Sequence, residues 1–101
     1  MIEKWDRESW GELNERNMRK KLESEGYEVY RYVYSPGTQF ADHSHGVDKK
    51  DSVLSGKFKL IVEGKSFILE AGDMIEVKAG VIHSAEVIGK EPVVSLDATR
   101  R

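Results

Sequence analysis

The chain holds three histidines, and two of them stand as His43-Ser44-His45. Alternate residues of a β-strand point to one face, about 7 Å apart along the backbone, so a strand here lets both imidazoles converge on one ion. His83 follows the turn Ala79-Gly80-Val81 and opens another strand-forming run. From there it completes a set of three ligands if the two strands are neighbours, and a divalent metal is what such a set would hold. Taken singly, a histidine in a half-buried strand is more often a hydrogen-bonded core or surface residue than a ligand. The chain has no cysteine, which excludes disulfides, thiolate nucleophiles, iron–sulfur clusters and Cys-type zinc sites. Any metal must sit on His, carboxylate, amide or water.

The elements that position these residues follow from patterning. The 101 residues, 39% hydrophobic and 34% charged, suit one soluble domain. A formal net charge of -2 provides no basic field for nucleic acid or anionic lipid. No apolar run approaches the roughly 18 residues of a membrane-spanning helix, and Met1-Ile-Glu-Lys-Trp lacks the order of a signal peptide. The expectation is a cytoplasmic protein whose partners are small molecules or proteins, with neither nucleic acid nor membrane among them.

Ser9 followed by Glu12 reads as a capping box and Gly26 as a stop. One amphipathic helix over about 10–25 is predicted, resting on Trp10, Leu13 and Leu22. From Tyr27 the period changes to short runs rich in Val, Ile, Tyr and Phe, cut by turn signals at Pro36-Gly37, Ser55-Gly56, Glu63-Gly64, Gly72-Asp73 and Ala79-Gly80. Strands are predicted at about 27–34, 38–45, 50–55, 57–62, 66–70, 74–77, 82–88 and 92–98, with a tight hairpin at Val62-Glu63-Gly64-Lys65. The fold class is all-β, an antiparallel jelly-roll barrel over 27–101 with a short helical extension, 1–26, packed on it.

The segment from Gly37 through His43-Ser44-His45 to Gly56 resembles the first motif of the cupins: Gly, five residues, His-x-His, a Glu, and a closing Gly. Gly72-Asp-Met-Ile-Glu-Val-Lys78-Ala-Gly80-Val-Ile-His83 resembles the second, with Lys78 in place of its Pro. On this resemblance the chain is similar to small single-domain cupins of the conserved-barrel type. The resemblance implies a divalent transition metal, whether iron, manganese, nickel, zinc or cobalt, on His43, His45 and His83 inside the barrel. It also implies a small-molecule ligand in the barrel.

The family's motif-one Glu, usually the fourth ligand, falls on Lys49, and its motif-two Asn falls on Val87. An ammonium cannot coordinate. Either metal affinity is lowered, or Lys49 points away, or a neighbouring oxygen substitutes: Asp51 first, then Asp48, or Gln39 on the face of His43 and His45. Lys49 is then either a solvated residue of the mixed-charge run Asp48-Lys49-Lys50-Asp51, or an anion clamp or base at the pocket mouth. Lys49 and Asp51 are the catalytic candidates.

Ala41, Val53, Leu60, Met74, Val81, Ala85 and Leu96 are expected to line the barrel, and Phe58, Phe67 and Trp10 to fill space. Of Tyr27, Tyr30, Tyr32 and Tyr34, three share a strand face and suit the interface of a homodimer. Three functions compete. One is a metal-dependent enzyme on a small carboxylate, keto or sugar-acid metabolite. The second is a non-catalytic ligand-binding or regulatory module, and the third a scaffold whose histidines are structural.

Overall fold

Every predicted strand forms. In the computed structural model, which describes residues 1–101, they are β1 (Glu28–Tyr34), β2 (Gln39–His43), β3 (Asp48–Ser55), β4 (Lys57–Val62), β5 (Lys65–Leu69), β6 (Met74–Val77), β7 (His83–Ile88) and β8 (Val93–Arg100). They build two four-stranded antiparallel sheets, one ordered β1-β8-β3-β6 and the other β2-β7-β4-β5. The β4–β5 hairpin closes where its sequence predicted, Val62 facing Lys65. Its central Glu63 and Gly64 both take positive φ, as a primed turn between right-twisted strands requires.

Between the sheets lies one apolar core, with Val53, Leu60, Leu69 and Val93 fully buried and Phe58, Ile75, Ala85 and Val87 nearly so. A second core lies on the other side of the first sheet, where Met18 and Leu22 of the N-terminal region meet Tyr27, Met74, Leu96 and Ala98. β3, β6 and β8 are therefore covered on both faces, and such strands lose the apolar–polar alternation that reveals which side faces inward. For this reason Met74 and Leu96, expected inside the barrel, pack beneath the helix instead. Ala41 is exposed, while Val53, Leu60 and Ala85 do face inward.

The single helix expected over 10–25 is two: α1 (Arg7–Trp10) and α2 (Glu15–Ser24). Asp6 caps the first, accepting from the amides of Glu8 and Ser9, and Asn14 caps the second, accepting from the Asn17 amide at 2.8 Å. Two strong capping residues so close together each start a helix, and Gly11, at φ 78°, ends the first. Ser9 is thus inside α1 and not a cap. Trp5, and not Trp10, packs on the second core together with Leu13. The chain's first residues are held too, for Glu3 forms a β-bridge with Met74 on the edge of β6.

Candidate metal centre

β2 and β7 are neighbours, and His43 stands directly opposite His83 in their register. His45 lies just past the end of β2, where its carbonyl accepts a hydrogen bond of 2.8 Å from the Gly80 amide in the turn before β7. Two segments far apart in sequence are tied together at the three rings. One ligand atom from each of His43, His45 and His83 can be chosen so that all lie within 4.8 Å of one another. The ring centroids are 4.2 Å apart for His43 and His83, 4.9 Å for His43 and His45, and 5.2 Å for His45 and His83.

Two of the rings are held the same way. His43 Nδ1 is 2.6 Å from the Ala41 carbonyl and His83 Nδ1 is 3.0 Å from the Val81 carbonyl, in each case two residues back along the chain. A carbonyl can only accept, so in the neutral ring each Nδ1 carries the proton and each Nε2 the lone pair that a metal would take. Fixing a histidine's tautomer through its other nitrogen is how proteins orient metal ligands. Burial first, and then the charges of Lys49 and the other two imidazoles, hold His45 below the usual histidine range, which favours its neutral form. The donor set therefore fits a borderline divalent metal.

The rings open onto a cavity of about 170 Å³. Tyr34, Phe40, Phe58 and Ala85 make its apolar wall, while Lys49, Asp51 and Asp97 supply charge. Lys49 points inward, its Nζ 2.7 Å from Asp97 Oδ1 and 3.0 Å from Thr99 Oγ1. The carboxylate contact is an ion pair by distance without hydrogen-bond alignment, since Asp97 Oδ1 has no hydrogen-bond partner. Asp51 is the cross-strand neighbour of Asp97. Burial, and then the Asp97 charge, push its carboxyl up to about 7, against the opposing pull of Lys49 and His43. The same order of causes, burial then the two carboxylates, raises the Tyr34 phenol well above its usual range.

The oxygen candidates separate. Asp51 lines the cavity but does not join the three-histidine cluster. Asp48 accepts from the Ala79 amide at 3.0 Å and lies 3.9 Å from Lys78, outside the cavity. Gln39 is exposed, donating to Glu86 at 2.9 Å. A bulge explains its position: between Phe40, paired with Ala85, and His43, paired with His83, β2 holds one residue more than β7. The extra residue reverses the parity of the strand, so Phe40 and His43 both face inward and Gln39 faces out. Asp97 and Thr99 escaped the sequence reading, because placing Leu96 inside puts both outside. The signal that would have found them is the series Val93, Ser95, Asp97, Thr99 on one face of β8. A larger hollow of about 360 Å³ lies against Gln39, Lys59, Ile61 and Glu86 and contains none of the histidines.

Comparison with known proteins agrees with this architecture. The sequence profile of the cupin domain matches residues 30–99. No curated protein matches the chain. Among solved structures, KdgF from Halomonas sp. superposes with a TM-score of 0.66 at 21% identity, over 75% of this chain and 71% of that one. A conserved protein of unknown function from Streptococcus pyogenes gives 0.67 at 18% identity, over 75% of this chain and 65% of its own, so the present chain spans less than two thirds of it. A chain from the crystal structures of the DMSP lyases RdDddP and RnDddQII gives 0.68 at 22% identity, over 74% of this chain and 38% of that one.

Proposed function

This chain belongs to the cupin domain family, and from that premise we propose that it is a metal-dependent enzyme acting on a small oxygen-rich acid. The observation that carries the reading is the convergence of His43, His45 and His83 within 4.8 Å, with two of the three rings pinned through Nδ1. A divalent transition metal held there would supply Lewis acidity to a carbonyl or carboxylate oxygen. Two of the structural neighbours are KdgF and DMSP lyases; the kinship supports chemistry on a small molecule without fixing the reaction.

The chain's own residues define what the cavity accepts. Its volume of about 170 Å³ suits a molecule of a few carbon atoms, given the roughly 30 Å³ that each water occupies in the liquid. Lys49, held by Asp97 and Thr99, is placed to receive a substrate carboxylate. Asp51 stands back from the imidazoles and is placed to hold or accept a proton from the bound acid and not to occupy the fourth ligand position. The Tyr34, Phe40 and Phe58 wall excludes water behind the substrate.

One observation favours a second reading, a ligand-binding module without turnover: the position of the family's fourth carboxylate ligand is held by an ammonium already paired with Asp97. A homodimer is part of either reading. β1 is an edge strand, and its free backbone groups can pair with a second copy, which light scattering tests directly.

Elemental analysis of purified, untagged protein beside a His43→Ala control tests the metal. Near-stoichiometric iron, manganese, nickel, zinc or cobalt that vanishes in the control supports the reading, and absence of metal from both after reconstitution rejects it. Conversion of small keto, hydroxy or sugar acids by the loaded protein then separates enzyme from module.

A further inference from the structure

β1 carries Tyr30, Tyr32 and Tyr34 on one face, because alternate residues of a strand share a side. That face is the concave one. Tyr34 lines the metal cavity, and the cross-strand partners of Tyr30 and Tyr32 are Asp97, which also lines it, and the buried Ser95. The first ring is enclosed: Phe40 meets Tyr34 edge-on with centroids 5.0 Å apart, and Phe58 stacks on it at 5.6 Å. The next ring is not. Tyr32 stacks on Tyr34 at 5.9 Å with only 10° between planes, so the aromatic surface continues out of the cavity without a break. Tyr32 is 44% and Tyr30 49% exposed, and no ring of the opposite sheet pairs with either.

Exposed aromatic rings next to a cavity mark a place where something apolar and flat settles. We infer that the Tyr30–Tyr32 ledge is a second subsite, which takes the aromatic ring of a substrate whose acid head occupies the metal cavity. The inference rests on the functional reading above and adds the class of molecule, an aryl-substituted small acid. An aromatic ring fits there because the open face of Tyr32 continues the stack of Tyr34 and Phe58.

Two 2-keto acids with the same head separate the ledge from the cavity: pyruvate, and benzoylformate, which carries a phenyl ring in place of the methyl group. Calorimetry on the cobalt-loaded protein should show benzoylformate binding more tightly by roughly fivefold, the order of one aromatic contact. Tyr32→Ala should abolish that advantage while leaving pyruvate binding unchanged, and Tyr32→Phe should keep it. Tyr30→Ala should reduce it in part. Equal affinity of the two ligands in the parent protein, or an advantage that survives both alanine variants, overturns the inference while the metal site stands. A Tyr32→Ala variant that changes a dimer to a monomer with both affinities unmoved also overturns it, assigning the ledge to a second copy. Failure of cobalt to bind at all rejects the functional reading itself.

Discussion

A lysine facing three converging imidazoles would repel a cation held among them, and here its charge is answered by Asp97 at 2.7 Å. Replacing Lys49 by Met should therefore act in two opposite directions. Metal affinity should rise, by roughly tenfold if the charge effect equals one pKa unit, while affinity for a small carboxylate falls. Competition with a metallochromic chelator reads the first and calorimetry the second; if both are unchanged, Lys49 does not act on the site. Asp51 makes a separate prediction through stability. Its folded value of about 7 exceeds the ordinary 3.8, so the metal-free fold is penalised once pH rises past the ordinary value, and fully so above the folded one. Asp51→Asn should stabilise the metal-free protein at pH 8, on the order of a few kcal/mol, and should do little below pH 4. A melt difference that does not depend on pH would show that the carboxyl titrates at the same value in the folded and unfolded chain.

Elements set what those residues can reach. The bulge in β2 turns Phe40 and His43 inward together, and the closing glycine of the first motif has an equally specific duty. Gly56 takes φ 87°, and a Cβ there would come 2.4 Å from the Pro92 carbonyl oxygen. Backbone cannot swing aside as a side chain does, so Gly56→Ala should destabilise by at least about 2 kcal/mol, read by denaturant unfolding. A smaller cost would mean that the β3–β4 turn relaxes. The helix caps are weaker points, since Asn14→Ala removes one hydrogen bond at the start of α2 and should cost about 1 kcal/mol.

At the scale of the molecule, the N-terminal segment is fastened to the first sheet by apolar packing and by a four-charge cluster. Lys21 and Lys50, both nearly buried, each contact Glu3 and Glu25. Burial raises both carboxyls, but the hydrogen bonds and charges of the two lysines outweigh it, leaving Glu3 and Glu25 below the usual range. For Lys50 burial pulls down, and bonds to Glu25 and Glu3 prevail and raise it. The depressed acids stabilise the fold above their ordinary value of 4.5, and that contribution is lost as pH falls through the folded values. The raised lysine contributes fully below 10.5, and that is lost as pH rises through its folded value. The contribution of this cluster to thermal stability should be constant between those limits, and Glu3→Gln with Glu25→Gln should flatten the acid edge of the unfolding profile. An unaltered acid edge in the double variant would place the acid sensitivity elsewhere. Leu22→Ala, in the apolar part of the same interface, should cost 2–5 kcal/mol, the usual range of about one large buried side chain.

The sequence by itself determined the strands, the hairpin at Glu63-Gly64 and the three histidines, because turn residues, strand-forming runs and motif spacing are local properties of the chain. Local sequence misplaces the helix starts, because Ser9 and Glu12 match a capping box where Asp6 and Asn14 cap two separate helices. Only the tertiary structure decided which way β2, β6 and β8 face. A bulge reverses parity without a clear signature, and strands buried on both sides show no alternation, so Gln39 went out, Asp97 and Thr99 came in, and Met74 and Leu96 moved under the helix. The pairing of His43 with His83 belongs to the same class, since residues 40 positions apart meet only when the sheet forms and no local pattern encodes that register.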